Sequence, residues 1–234
     1  MKLFPDASRF GSTMIARIFG GLTVTLISTA CAGDGWVPLF DGETLQGWTD
    51  AAGREVKEGA WVAENGILFR KARGGDLYLA KEYRDFEFRW EWKISPKGNS
   101  GVKYRVTSYG GGLLGPEYQV IDDTHRDGKG NPKHQVASLY DLFSTNEKKK
   151  VKPVGEWNTS RIVAQGRRLQ HYLNGELVVE VTVGSEAWKE ALQKSKFKNR
   201  QDFAMNPVGR IFLQDHGNPA WFRKLEIKEL APAP

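Results

Sequence analysis

In Phe86-Glu-Phe-Arg-Trp-Glu-Trp-Lys-Ile94 every even position is apolar and every odd position is charged. Strand side chains point alternately to two faces, so this nonapeptide offers one face to a core and the other to water. A helical winding would scatter its four charges around the cylinder, whereas a half-buried antiparallel strand separates them cleanly. Gly101 to Val106 repeats the pattern, with Val102, Tyr104 and Val106 against Lys103 and Arg105. Glu117-Tyr-Gln-Val-Ile-Asp122 follows it with Tyr118 and Val120 inward. Leu169 to Leu173 and Leu177 to Val181 flank Asn174-Gly175, the turn chemistry of a two-residue hairpin.

Turn signals recur roughly every ten residues, the spacing of an all-β sandwich or barrel. They include Asp41-Gly42, Asn65-Gly66, Gly74-Gly75, Pro96 to Asn99 and Gly217-Asn218-Pro219. A single segment carries helical periodicity, Ser185 to Ser195, with Ser185 as N-cap and Trp188 and Leu192 four apart. It is expected to be a short surface helix covering a sheet edge.

The first 32 residues read as an export signal: Lys2, Arg9 and Arg17 precede an apolar run from Ile18 to Ile27 and then small residues. Ala30-Cys31-Ala32 fits ordinary signal cleavage, and Thr29-Ala30-Cys31 resembles a lipoprotein site that would anchor the chain through a lipid on Cys31. The chain is therefore expected to be periplasmic, outer-membrane-anchored or secreted, with residues 33–234 as one domain. Cys31 is the only cysteine, so the domain holds by packing without an internal disulfide. Removing Lys2, Arg9, Arg17 and Asp6 leaves 31 basic and 27 acidic residues, too even a mixture for a nucleic-acid partner.

The most informative polar residues end a strand-like run, Arg210-Ile-Phe-Leu-Gln-Asp-His216. With Ile211 and Leu213 in the core, parity puts Gln214 and His216 together on the opposite face, while Asp215 stays on the core side unless the strand ends or bulges. The same parity turns Glu91 and Lys93, Lys103 and Arg105, and Glu117 and Gln119 away from the core. Outward residues of any antiparallel sheet are polar by default, so parity alone is weak support for a site. A polar face with aromatic neighbours does suit a sugar, for which Tyr172, Trp221 and Tyr109 are stacking candidates.

Other motifs carry less. Gly110 to Gly115 matches G-x-G-x-x-G but leads into Pro116 rather than a helix, which argues against a dinucleotide site. Asp122 to Gly128 with His134 holds metal-ligand residue types without calcium-loop or zinc spacing, and a hydrated turn is the better reading. His171 shares the parity of Leu169 and Leu173 and is expected to face the core.

Several segments together resemble one family. They are Trp36 to Trp48 with its Phe-Asp-Gly, Asn99-Ser-Gly101 with Tyr104-Arg105, Glu117 to Asp122, Gly155 to Asn158, Leu173-Asn-Gly175, and Leu213 to Gly217 with Phe222-Arg223. In this order they resemble the bacterial 3-keto-disaccharide hydrolase domain family. One departure is Lys224, where the family often has Asn after Phe-Arg.

The resemblance implies a concanavalin-like jelly-roll sandwich of two antiparallel sheets, acting on carbohydrate, an oxidised disaccharide or glycoside. A ketone at C3 acidifies the C2 proton, so one base and one oxyanion stabiliser suffice to expel the C1 substituent before water adds. On this reading Glu117 or His216 is the base, with Arg105 and Lys103 stabilising the oxyanion. Gln119 and Gln214 bind hydroxyls, Glu91 is a second carboxylate, Tyr140 is an acid or rim contact, and Asp122 and Asp215 are structural or orienting. A divalent metal bridging Glu117 and His216 stays open. The alternatives are a non-catalytic carbohydrate-binding sandwich, a conventional endo-glycosidase, which needs two flanking carboxylates, and an envelope lipoprotein that uses the sandwich for protein contact.

Overall fold

The computed structural model describes residues 34–233; the expected export segment and Cys31 lie outside them. The strands in chain order are β1 (Val37–Pro38), β2 (Trp48–Thr49), β3 (Trp61–Glu64), β4 (Ile67–Arg70) and β5 (Leu77–Tyr83). Next come β6 (Phe86–Ile94), β7 (Asn99–Tyr109), β8 (Gly112–Leu114), β9 (Glu117–Ile121) and β10 (Asn158–Gln165). The chain closes with β11 (Arg168–Leu173), β12 (Glu176–Thr182), the helix α1 (Glu186–Gln193), β13 (Gly209–Leu213) and β14 (Ala220–Glu229).

They form two antiparallel sheets. The larger runs β12-β11-β10-β6-β14-β4-β3 with β1 beside β14, and the smaller runs β2-β5-β13-β7-β8 with β9 also on β7. This is the jelly-roll sandwich expected. β6 alternates buried and half-buried along all nine residues, and its inward aromatics Phe86, Phe88, Trp90 and Trp92 meet the smaller sheet across the core. Trp90 packs edge-on against Tyr118 at 5.0 Å between ring centroids, and Phe86 against Tyr104 at 6.4 Å. Each such fully buried ring contributes about 1.5–3 kcal/mol through removal of apolar surface from water.

The Asn174-Gly175 turn has φ of 48° and 91°, as a type I′ hairpin requires, and joins β11 to β12. Gly110 and Gly111, also at positive φ, form the tight turn between β7 and β8. Ser185 caps α1 by accepting from the Trp188 amide at 3.2 Å, and Trp188 and Leu192 are buried. His171 is fully buried, with Nε2 against the Tyr104 hydroxyl at 2.9 Å and Nδ1 against the Ala137 carbonyl oxygen at 3.0 Å. Burial depresses its pKa to about 4, so it is a neutral core residue.

Arg105 is the main departure from parity. It sits at φ 48°, and between Lys103 and Val106 the register with β13 slips, three steps on β7 facing two from Arg210 to Phe212. This bulge turns the rest of the strand over. Val106 joins Tyr78 and Phe212 in a small apolar cluster instead of the main core. The Arg105 guanidinium is buried and donates to Asp85 Oδ1 at 3.0 Å, to the Arg84 carbonyl at 3.0 Å and to the Gly166 carbonyl at 2.7 Å. It is a buried tie between β7 and two loops, and the oxyanion role expected of it is withdrawn.

Replacing Arg105 with alanine would leave Asp85 buried without its cation. Loss of one partner of such a pair costs about 3–5 kcal/mol. Arg105→Ala is therefore expected to shift the denaturant midpoint by a corresponding amount, measured by equilibrium unfolding.

Candidate active site

The β7–β9 pairing sets Lys103 opposite Glu117 and Gly101 opposite Gln119. Because Tyr118 and Val120 face the core, Glu117 and Gln119 emerge together on the far face of the smaller sheet. Gln214 follows β13 directly; its amide donates to the Gly101 carbonyl at 2.9 Å, and its carbonyl accepts from the Ser100 hydroxyl at 2.9 Å. Gly101 supplies space as well as register. A Cβ at that position would lie 2.5 Å from Glu117 Oε1 and 3.3 Å from Gln214 Oε1, so the missing side chain is what admits the carboxylate.

Two segments close over these residues. The chain after the short 3₁₀ turn Pro132–His134 runs along β9, with the Ala137 amide donating to the Gln119 carbonyl at 2.8 Å and the Tyr140 amide to the Glu117 carbonyl at 3.0 Å. The Tyr140 ring is held between the His134 ring, stacked at 4.4 Å, and the Lys196 ammonium, 4.1 Å from its centroid. Asp141 ties both supports together: Oδ1 lies 2.9 Å from His134 Nε2, and Oδ2 accepts from the Lys196 amide at 2.6 Å. The resulting pocket is about 60 Å³ and is lined by Asn99, Lys103, Glu117, Gln119, Asp127, Tyr140, Lys196, Gln214 and His216.

Its electrostatics follow from burial. Glu117 is 6% exposed, and desolvation raises its pKa above the usual carboxylate range against the pull of Lys103, Lys196 and His216. The Lys103 ammonium lies 3.4 Å from Glu117 Oε2. Desolvation lowers the Lys196 pKa, with the charge of Glu117 working the other way. Tyr140 is held protonated by burial and by the carboxylates of Asp127, Glu117 and Asp141. Gln119 donates to Asn99 Oδ1 at 3.2 Å, but the amide oxygens of Gln119 and Gln214 are buried with no partner. Buried polar atoms are nearly always satisfied, so two orphaned acceptors in one pocket mark where a ligand's hydroxyl donors belong.

Six of the expected residues thus converge: Glu117, His216, Lys103, Gln119, Tyr140 and Gln214. Asp215 braces the pocket from outside by accepting from Arg70 Nε at 2.7 Å and from the amides of Gly74 and Gly75 at 3.0 and 3.1 Å. Asp122 likewise is structural, accepting from the Lys97 amide at 2.7 Å and the Thr124 amide at 2.9 Å.

Glu91, Tyr172 and Trp221 lie elsewhere, on the outward face of the larger sheet. Parity predicts that they face outward but cannot say from which sheet. Glu91 is held by Arg223 and Lys224, each at 2.6 Å, Tyr172 is covered by Arg161 at 3.9 Å, and Trp221 is approached by Lys93 at 5.1 Å. Tyr109 is buried, its hydroxyl accepting from the Ala204 amide at 3.1 Å.

Asn99, Asp127 and Lys196 were not singled out from the sequence. Asn99 could have been, since it falls on the outward parity of Gly101 and Lys103. Asp127 and Lys196 come from connections, where no periodicity marks direction. Among the described residues no group of three or more His, Cys, Asp or Glu side chains is arranged to hold a metal ion.

Lys103 is the cation nearest Glu117, and its removal takes away an interaction that favours the carboxylate form. Lys103→Met is expected to raise the Glu117 pKa further, read from the carboxyl carbon shift in an NMR titration.

The 3-keto-alpha-glucoside-1,2-lyase-like domain profile matches residues 35–228. A 3-keto-disaccharide hydrolase from Bacteroides thetaiotaomicron is 35% identical over 232 residues, spanning 84% of this chain and 79% of the relative. Among solved structures, a Parabacteroides distasonis protein provisionally described as a glycosyl hydrolase is 31% identical with a TM-score of 0.75, covering 84% of this chain and 95% of its own. A second Parabacteroides distasonis structure with the same description is 27% identical with a TM-score of 0.65, covering 83% and 99%. With a match this extensive, on a fold and a pocket already in place, the chain belongs to the 3-keto-alpha-glucoside-1,2-lyase-like domain family.

Proposed function

We propose that this protein cleaves the glycosidic bond of glycosides oxidised at C3, by elimination across C1–C2 followed by hydration. The observation that carries the reading is Glu117: a buried carboxyl, its pKa raised, beside two lysines and two unpartnered amide oxygens. An ordinary glycosidase needs two carboxylates flanking the anomeric carbon. Glu91 cannot pair with Glu117, because the two occupy the outward faces of different sheets.

In the proposed sequence Glu117 removes the proton on C2, whose electron pair moves to the C3 ketone oxygen. A raised carboxyl pKa brings a base closer to neutral operating pH and strengthens it for carbon acid chemistry. The Lys103 and Lys196 ammonium groups stabilise the enolate in a site shielded from water, where such charges act strongly. The enolate then re-forms the ketone and expels the C1 oxygen, which takes a proton from His216 at the mouth of the pocket. His216, now neutral, deprotonates a water that adds at C1, and Glu117 returns its proton to C2. Tyr140 donates a hydrogen bond to the bound ring, while the amide oxygens of Gln119 and Gln214 accept from its hydroxyls.

Two measurements test this. Glu117→Gln is expected to lower kcat on a 3-keto glucoside by about 10²–10⁴-fold, the range for loss of a general base, with little change in thermal stability. Wild-type protein is expected to release the leaving group from the 3-keto glucoside and not from its unoxidised parent; equal release from both would refute the elimination route. The pH profile has a defined sign. Activity needs the Glu117 carboxylate, so kcat/KM falls as pH drops through the raised Glu117 pKa, above 4.5.

A further inference from the structure

The pocket around Glu117 is too small for a glycoside. Its volume of about 60 Å³ is well below the several hundred Å³ typical of sites that enclose a small molecule. His216 lines this pocket and also a second cleft, about 620 Å³, whose other walls are Arg70, Arg73, Gly75, Asp76, Asp215 and Gly217. That volume falls in the range of small-molecule sites. The two spaces therefore meet at the residue that protonates the departing oxygen.

We infer that this cleft is the leaving-group subsite, that it takes a neutral polyhydroxylated group, a second sugar, in preference to an aromatic aglycone, and that Arg73 sets that preference. This inference rests on the elimination reading above. The cleft wall holds two arginines and two aspartates, a balanced set of donors and acceptors that favours neutral hydroxyls over a net anion or cation. It contains no Phe, Tyr or Trp on which an aryl group could stack.

Its members are not equally available. Arg70 is spent on structure, donating to Asp215 Oδ1 at 2.7 Å and to the Gly217 carbonyl at 2.8 Å, and Asp215 is spent on Arg70 and the Gly74 and Gly75 amides. These bonds make the cleft floor rigid before any ligand arrives. Asp76 uses Oδ1 to accept from the Asp215 amide at 2.9 Å, leaving its second oxygen for a hydroxyl. Arg73, exposed at the rim, enters no ion pair among the described residues, so its guanidinium is the donor free to take paired sugar oxygens.

The test compares a 3-keto disaccharide with a 3-keto nitrophenyl glucoside on the full-length protein. The ratio of the two kcat/KM values, taken from one preparation, does not depend on how much of a variant is folded. Arg73→Ala is expected to lower the disaccharide-to-aryl ratio about tenfold, the loss expected for a hydrogen bond to a charged group, and Arg73→Lys to lower it less. A ratio within twofold of wild type in both variants would overturn the subsite. Wild-type protein that cleaves neither ketone would instead remove the elimination reaction, and the subsite with it.

Discussion

The pairing of β7 with β9 is the contact on which the candidate site depends. It places Lys103 across from Glu117 and leaves a glycine across from Gln119. Backbone hydrogen bonds fix this register to within one residue, and a slip by one would send Glu117 into the core and Tyr118 into the pocket. Gly101 then decides how close the carboxylate can come. A larger residue would occupy the space that Glu117 Oε1 and Gln214 Oε1 share.

Desolvation turns that geometry into chemistry. On an open sheet face Glu117 would be an ordinary acid paired loosely with Lys103, worth little in stability or reactivity. Here Tyr140, Lys196 and the chain from His134 to Asp141 cover it, so water no longer competes for its charge. The same covering strands the amide oxygens of Gln119 and Gln214 without partners, a cost that a ligand's hydroxyls can relieve. The pocket is thus destabilised in the way that sites built for a ligand often are.

Parity was a good guide wherever strands are regular. The alternation of Phe86 to Ile94, the inward Tyr118 and Val120, the Asn174-Gly175 hairpin and the capped helix at Ser185 all stand as the residues indicate. It failed at Arg105 because a bulge inserts one residue against β13, and no residue type in that stretch signals a positive φ. It misplaced Glu91, Tyr172 and Trp221 for another reason. Alternation tells inside from outside, but a sandwich has two outsides, and nothing local distinguishes them. Lys196 escaped notice because loops have no period to read, and Asp127 was visible only as part of a polar turn whose direction no periodicity marks.

The sequence alone determined the two-sheet architecture and the polar faces of its strands, because alternation and turn chemistry act over a few residues and need no knowledge of partners. It also carried the family, through short motifs in a fixed order. Only the tertiary structure decided which outward face became a site. That choice depends on which sheet the loops at 122–141 and 195–200 fold over, on a bulge that removes Arg105 from the surface, and on a glycine facing a carboxylate. Each of these joins residues distant in the chain, and burial, which gives Glu117 its character, exists only once they have met.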